Sequence, residues 1–125
     1  MLSLLLLLFS ACLNEPIDGE AVRSAAFSDS ASQVTILASG GENWTERDLW
    51  VAWTGPATVT HSSGFTPCAD TASVAKALVK RDTARAALLS DLAALTCQQK
   101  GGGRSGRHFV SHSSGVHWWR AWERD

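Results

Sequence analysis

The chain has 125 residues, 45% of them apolar, with 11 Lys+Arg against 12 Asp+Glu and a net charge of −1. This length suits one small domain and excludes a two-domain enzyme or a large α/β barrel. The near-neutral charge gives no argument for a nucleic-acid partner, and the apolar fraction is too high for a wholly disordered chain.

The first ten residues, MLSLLLLLFS, form an apolar run that leads into Ala11-Cys12. This run is too short to span a bilayer, which takes about 20 apolar residues, but it has the length of a signal-peptide core. Residues 8–12, LFSAC, resemble the lipobox of bacterial lipoproteins, in which cleavage occurs just before the Cys. The resemblance implies an exported protein that a lipid on Cys12 anchors to the cell envelope. An ordinary signal peptide that is cut nearby is the alternative.

The residues after Cys12 are rich in Ser, Ala, Asp and Glu up to about Ser32 and carry few large apolar side chains. Such a composition buries too little apolar area to offset the entropy of ordering, so it predicts a flexible tether. The expected organisation is therefore a signal peptide over 1–11, a tether over 12–32 and a single domain over 33–125.

Three β-rich segments open this domain, over residues 33–39, 48–53 and 57–61, and the last two are expected to form a hairpin around Gly55-Pro56. Residues 69–95 are dense in Ala and Leu without Gly or Pro, which predicts a helix that Thr66 or Asp70 caps. Arg81 and Arg85 interrupt its apolar stripe.

A flexible Gly-rich loop over 101–106 precedes two more β-rich segments, 107–112 and 116–122, which are expected to form a second hairpin. The order β-β-β-α-β-β predicts an α+β fold in which one long helix covers a small antiparallel sheet. This helix is expected to be either continuous or broken near Arg81-Asp82. A small β-barrel with a helical insertion is the alternative fold.

Cys68 and Cys97 form an even pair once Cys12 is set aside, and export permits a disulfide between them. A continuous straight helix would hold them ~40 Å apart, far beyond the reach of a disulfide. We therefore expect a Cys68–Cys97 disulfide with a broken helix. Two free, buried thiols on an uninterrupted helix are the alternative.

Histidines provide the candidate metal site, because Val59-Thr-His-Ser-Ser-Gly64 recurs in similar form as Val110-Ser-His-Ser-Ser-Gly115. If the two repeats meet in one sheet, His61, His108 and His112 offer three imidazoles to Zn²⁺ or Cu²⁺. The His-Ser-Ser-Gly segments are also typical of turns, where Ser provides local hydrogen bonds and Gly permits unusual backbone angles. Turn chemistry is the favoured interpretation, and no cofactor is otherwise expected.

The repeats also suggest a Ser/His hydrolase. In that hypothesis the nucleophile is one of four serines, the base is one of two histidines and the orienting acid is one of two aspartates: Ser62, Ser63, Ser113 or Ser114; His61 or His112; Asp48 or Asp70. A triad requires that the three groups meet in space, and the Gly-x-Ser-x-Gly elbow is absent from the sequence. Catalysis is therefore the least favoured function.

Charge is unevenly distributed, since residues 13–72 carry a net −6 and residues 100–125 a net +3. The basic, Trp-rich end predicts a binding surface on the C-terminal hairpin, with Arg104, Arg107, Trp119 and Arg120 as anchors, because Arg and Trp dominate binding hot spots. Of the adjacent Trp118 and Trp119, one ring is expected to face solvent.

Residues 114–118, SGVHW, are similar to the Ser-Gly-x-x-Tyr signature of bacterial periplasmic lysozyme inhibitors, with Trp118 in place of the Tyr. This similarity adds inhibition to the binding hypotheses. The sequence thus predicts a lipid-anchored envelope protein that binds or inhibits an envelope protein or glycan and has no nucleic-acid partner.

Overall fold

A computed structural model describes residues 34–43, 47–56 and 64–124 of the chain. In chain order, the strands are β1 (Thr35–Asn43), β2 (Arg47–Thr54), β3 (Thr66–Pro67), β4 (Leu95–Gly102), β5 (Ser105–His112) and β6 (Val116–Glu123). The helices are α1 (Thr71–Arg81) and α2 (Ala86–Leu89), with 3₁₀ turns at Thr83–Arg85 and Leu92–Ala94. The predicted signal peptide, Cys12, the tether and the predicted strand over 57–61 all lie outside the described residues.

The six strands form one open antiparallel sheet in the order β1-β2-β6-β5-β4-β3. Among the described strands, β1 and β3 are the two edges, so the alternative of a closed barrel is wrong. β3 is short and contains Pro67, which lacks an N–H and is tolerated at an edge. The antiparallel sheet and the hairpin of β5 with β6 agree with the sequence-based expectation.

The expectation of a helical cover is met by two short helices, so the continuous long helix, one of the two expected forms, is wrong. Asp70 caps α1 through its side chain, which accepts a hydrogen bond from the Ser73 amide at 3.1 Å, as one of the two alternatives predicted. The helix ends at Arg81, which is the position of the expected break. There the buried Asp82 carboxylate accepts hydrogen bonds from Trp118 Nε1 at 3.0 Å and from Arg85 at 2.9 Å. These contacts tie the helix end to β6.

β4 was not expected: it begins at Leu95, the last residue of the expected helix, and ends at Gly102, inside the expected flexible loop. Its side chains alternate between half-buried and exposed from Leu95 to Lys100. The glycine-rich stretch is a tight hairpin turn between paired Gly102 and Ser105. Gly103 has a φ of 62°, in the left-handed region that such turns require.

The disulfide is present between Cys68 and Cys97, whose Cα atoms are 5.4 Å apart. It is possible because the chain turns back after α1 and returns as β4 beside β3. The amide of Cys68 also donates to the carbonyl of Cys97 at 3.0 Å. The crosslink therefore joins the segment before α1 to the sheet, and the prediction of a disulfide with a broken helix is confirmed.

Both faces of the sheet contain buried apolar clusters. On the face that carries the helices, Leu78 of α1 packs with Trp118, Val110 and Ala52. On the opposite face, Trp53 stacks on Phe109 with ring centroids 5.9 Å apart, among the cluster of Val51, Trp53, Trp119 and Ala121. Trp118 and Trp119 are 0% and 4% exposed, so the expectation that one of them faces solvent is wrong.

Candidate functional site

The helix-bearing face has two parts, which the strand register defines. Ala52, Trp118, Val110 and Cys97 lie in one row across the sheet, and α1 packs on that row. We call it the covered part. The next row toward the β4–β5 turn contains Trp50, Arg120 and His108, and the row beyond it contains Asp48 and Trp122. We call these five residues, together with Arg81 at the end of α1, the charged end.

Asp48 is the centre of the charged end, because two guanidinium groups bind its carboxylate. Arg120 donates from Nε to Oδ1 at 3.1 Å and from Nη2 to Oδ2 at 3.0 Å. Arg81 donates from Nε to Oδ1 at 3.3 Å and also from Nη2 to Oδ2. Burial alone would raise the pKa of Asp48, but the hydrogen bonds and charges of the two arginines outweigh it and lower the pKa below its usual value. The carboxylate therefore stays ionised.

Aromatic rings extend this cluster toward the β4–β5 turn. The Arg120 guanidinium lies over the Trp122 ring, 4.8 Å from its centroid, and Trp122 Nε1 donates to the carbonyl of Gly103 at 3.1 Å. Trp122 can lie there because its register partner Gly106 has no side chain: a Cβ on Gly106 would come within 2.5 Å of the ring. The charged end and the hairpin turn are thus one continuous structure.

His108 lies beside this cluster as a neutral imidazole. Its ring centroid is 4.7 Å from that of Trp122, and its Nδ1 is buried without a hydrogen-bond partner in the described part of the chain. Burial, together with the positive charges of Arg120 and Arg81, lowers the pKa of His108 from 6.5 to about 4. At neutral pH the imidazole adds no charge to the site.

A pocket of about 440 Å³ opens at the charged end, lined by Gly41, Asp48, Trp50, Lys80 and Arg81. It lies where the C-terminal end of α1 meets β1 and β2. Trp50, Lys80 and Arg81 were not among the predicted site residues. The one available signal was Arg81, whose position breaks the apolar stripe of the helix because its side chain binds Asp48 instead of packing in the core.

The predicted binding residues separate into two pairs. Arg104 is exposed in the β4–β5 turn and Arg107 is half-buried on β5, beside a second pocket of about 370 Å³. In contrast, Trp119 and Arg120 are only 4% and 6% exposed and lie on opposite faces of the sheet. The prediction that Trp119 and Arg120 lie on an exposed binding surface is therefore wrong. Trp119 packs in a core cluster, and Arg120 binds Asp48.

The structure also separates the predicted metal ligands. His108 and His112 are four residues apart on β5, roughly 13 Å along an extended strand. His112 Nδ1 lies 2.8 Å from Ser114 Oγ and its Nε2 lies 3.2 Å from Asp91, whereas His108 packs on Trp122. His61 is outside the described residues. Among 34–43, 47–56 and 64–124, no group of three or more His, Cys, Asp or Glu side chains could hold a metal ion.

Ser114, His112 and Asp91 lie in the order of a catalytic triad, but their surroundings favour a turn. The Ser114 amide donates to the same His112 Nδ1 at 2.9 Å, the Gly115 amide to the His112 carbonyl, and the Ser113 amide to the Ala94 carbonyl. Each of the three turn amides is therefore engaged within the protein and cannot stabilise an oxyanion. Asp91 is also 57% exposed, which weakens its ability to orient the imidazole.

His117 makes the second Ser–His pair, on the opposite face. Its Nδ1 lies 2.7 Å from Ser111 Oγ, and its ring centroid is 5.3 Å from that of Trp53. Burial lowers the pKa of His117, and its hydrogen bond with the backbone of Gly55 offsets this only in part. This His is a neutral member of the aromatic cluster.

Comparison of the chain with protein-family models, with curated proteins and with solved structures finds no match. None of the described helices is long and apolar enough to cross a membrane. The charged end and the adjoining β4–β5 hairpin are the candidate functional surfaces of the described residues.

Proposed function

We propose that this protein is an exported, lipid-anchored binding module of the bacterial cell envelope that captures an acidic glycan at its β4–β5 hairpin. The observation that carries the proposal is a pair of like charges: Lys100 and Arg107 lie directly opposite each other in the β4–β5 ladder. Both cations line the pocket described beside Arg107, so an anion bound there would lie between two basic side chains.

The surroundings of the pair support an anionic ligand. The pocket of about 370 Å³ is lined by Lys100, Gly101, Ser105, Gly106 and Arg107, none of them acidic. Arg104 extends the positive charge into the exposed turn. Two basic side chains of the predicted surface, Arg104 and Arg107, thus keep their proposed role, whereas Trp119 and Arg120 are not part of it.

Binding to dextran sulfate and to neutral dextran tests the proposal with one polymer in two charge states. We expect the protein to bind dextran sulfate, to release it as the salt concentration is raised, and not to bind neutral dextran. Arg104→Gln and Arg107→Gln should each weaken binding several-fold. Lys76→Gln is the matched control, because it removes one charge from an exposed position of α1.

If Arg104→Gln and Arg107→Gln bind as Lys76→Gln does, the hairpin is not the binding surface. If the protein ignores both polymers, the acidic-glycan proposal is wrong and an envelope protein becomes the partner to test.

The lipid anchor is supported by the resemblance of LFSAC to a lipobox, and export by the Cys68–Cys97 disulfide, which is typical of proteins outside the cytoplasm. Mass spectrometry of membrane-extracted protein tests both. The expected mature chain begins at a lipid-modified Cys12 and has lost two hydrogens at Cys68 and Cys97. A chain that begins elsewhere, without lipid, would refute the anchor.

A further inference from the structure

We propose that the pocket at the charged end is a second, independent site that binds a small carboxylated ring compound. Lys80 and Arg81 would bind the carboxylate, and Trp50 would contact the ring. The pocket volume of about 440 Å³ lies within the range of small-molecule sites, about 300–1,000 Å³. Like such sites, it combines an apolar wall with a few polar groups at one side.

The charge of the pocket selects an anion. Asp48 accepts four hydrogen bonds from Arg81 and Arg120, two on each oxygen. A carboxylate has about four acceptor positions, so Asp48 has none left for a ligand cation or hydroxyl. Among the described residues that line the pocket, Lys80 and Arg81 outnumber the one carboxylate, so the excess charge of this lining is positive.

Arg81 is already oriented to bind this anion. Its Nη1 donates to the carbonyl of Ala77 at 2.7 Å, while its Nε and Nη2 donate to Asp48. These three bonds use three of its five N–H groups and leave two. The side chain is 24% exposed, so a ligand in the pocket can reach it. A fixed guanidinium loses little conformational entropy on binding, which favours affinity.

The ring-binding wall depends on glycines in β1. Gly40 is the register partner of Trp50, and a Cβ on Gly40 would come 2.7 Å from Trp50 Nε1. Since Gly40 has no side chain, the indole lies against the β1 backbone. Gly41 completes this side of the pocket. A flat aromatic wall of this kind packs best against another ring, either of a sugar or of an aromatic acid.

Calorimetric titration with glucuronate and with benzoate tests whether the pocket binds a carboxylated ring. Comparison of the two affinities distinguishes a sugar acid from an aromatic acid. Glucose and benzyl alcohol are the neutral counterparts, and inorganic phosphate tests for an anion without a ring. We expect at least one of the two carboxylates to bind about tenfold more tightly than its neutral counterpart and than phosphate. If neither carboxylate binds up to about 10 mM, or if phosphate binds equally well, the proposal is refuted.

Variants connect this binding to the pocket. Lys80→Gln should weaken binding about tenfold, whereas Lys76→Gln, one turn earlier on α1, should leave it unchanged. Both positions are exposed, so neither variant is expected to unfold the protein. Equal affinity in the two variants would refute the site. Arg107→Gln should bind the small carboxylate as the wild type does, so failure of this site and failure of the hairpin proposal are distinguishable.

Discussion

Trp118 and Arg120 lie two residues apart on β6 and on the same face of the sheet, but their surroundings differ. Trp118 is fully buried under α1, where its indole N–H bonds to Asp82. Arg120 instead pairs with Asp48, which Arg81 at the end of α1 also binds. One face of the sheet thus contains a covered part that stabilises the fold and a charged end at which we propose a ligand site.

The largest expected effect comes from the covered part. Trp118→Ala removes a fully buried indole and leaves the buried Asp82 carboxylate without one of its donors, so we expect a loss of about 3–5 kcal/mol in the free energy of unfolding. Trp50→Ala, at the half-buried charged end, should cost less than half of this. Urea unfolding of the two variants measures the difference. Equal losses would show that the two parts do not differ in their role.

A smaller effect is expected at the charged end. Asp48→Asn leaves the guanidinium groups of Arg81 and Arg120 without their shared counter-ion, which we expect to cost about 1–3 kcal/mol of unfolding free energy. Asp91→Asn is the control, since Asp91 is 57% exposed and its loss should change stability by less than about 0.5 kcal/mol. The same urea experiment compares them. If Asp48→Asn leaves the free energy of unfolding unchanged, the cluster does not hold α1 to the sheet.

The smallest effect is a pH dependence. Because the pKa of His108 is about 4 in the folded protein and near 6.5 when unfolded, the unfolded chain binds the extra proton between these values. Neutral His108 therefore contributes fully to the free energy of unfolding above about pH 6.5, and this contribution is lost as the pH falls toward 4. His117 acts in the same direction. The lowered pKa of Asp48 affects stability only at still lower pH.

His108→Gln should flatten the dependence of unfolding free energy on pH in this window, by less than the limit of ~1.36 kcal/mol per pH unit for one group. Unfolding curves at several pH values measure the slope. A slope equal to that of the wild type would mean that the imidazole is protonated as easily in the folded protein as in the unfolded chain.

Sequence reasoning found the parts of the molecule that local patterns determine. β1, β2 and the β5–β6 hairpin follow from runs of β-branched and aromatic residues. The disulfide follows from the even pair of cysteines and the expected export, and the broken helix follows from the disulfide, because a continuous helix would hold the two cysteines too far apart. β4 was missed because Leu95 continues an Ala- and Leu-rich segment without a Gly or Pro to separate them. Its strand conformation comes from pairing with β5, which is a tertiary effect.

The charged end was largely unpredictable for a related reason. Asp48, Arg81 and Arg120 are distant in sequence, and only the strand order places them together. The prediction that Trp119 and Arg120 are exposed failed for a different reason. Alternate side chains of a strand are exposed only if one face of the sheet is open to solvent. Here both faces are buried along most of the strand.

The Cys68–Cys97 crosslink also determines how the domain responds to a protease. It encloses α1, α2 and both 3₁₀ turns in a covalent ring of the chain. A single cut anywhere within this ring leaves both fragments joined, so the nicked protein keeps its mass on a non-reducing gel and separates into two pieces only after reduction. In an oxidising environment that contains proteases, the helices over the sheet can thus be cut without being released.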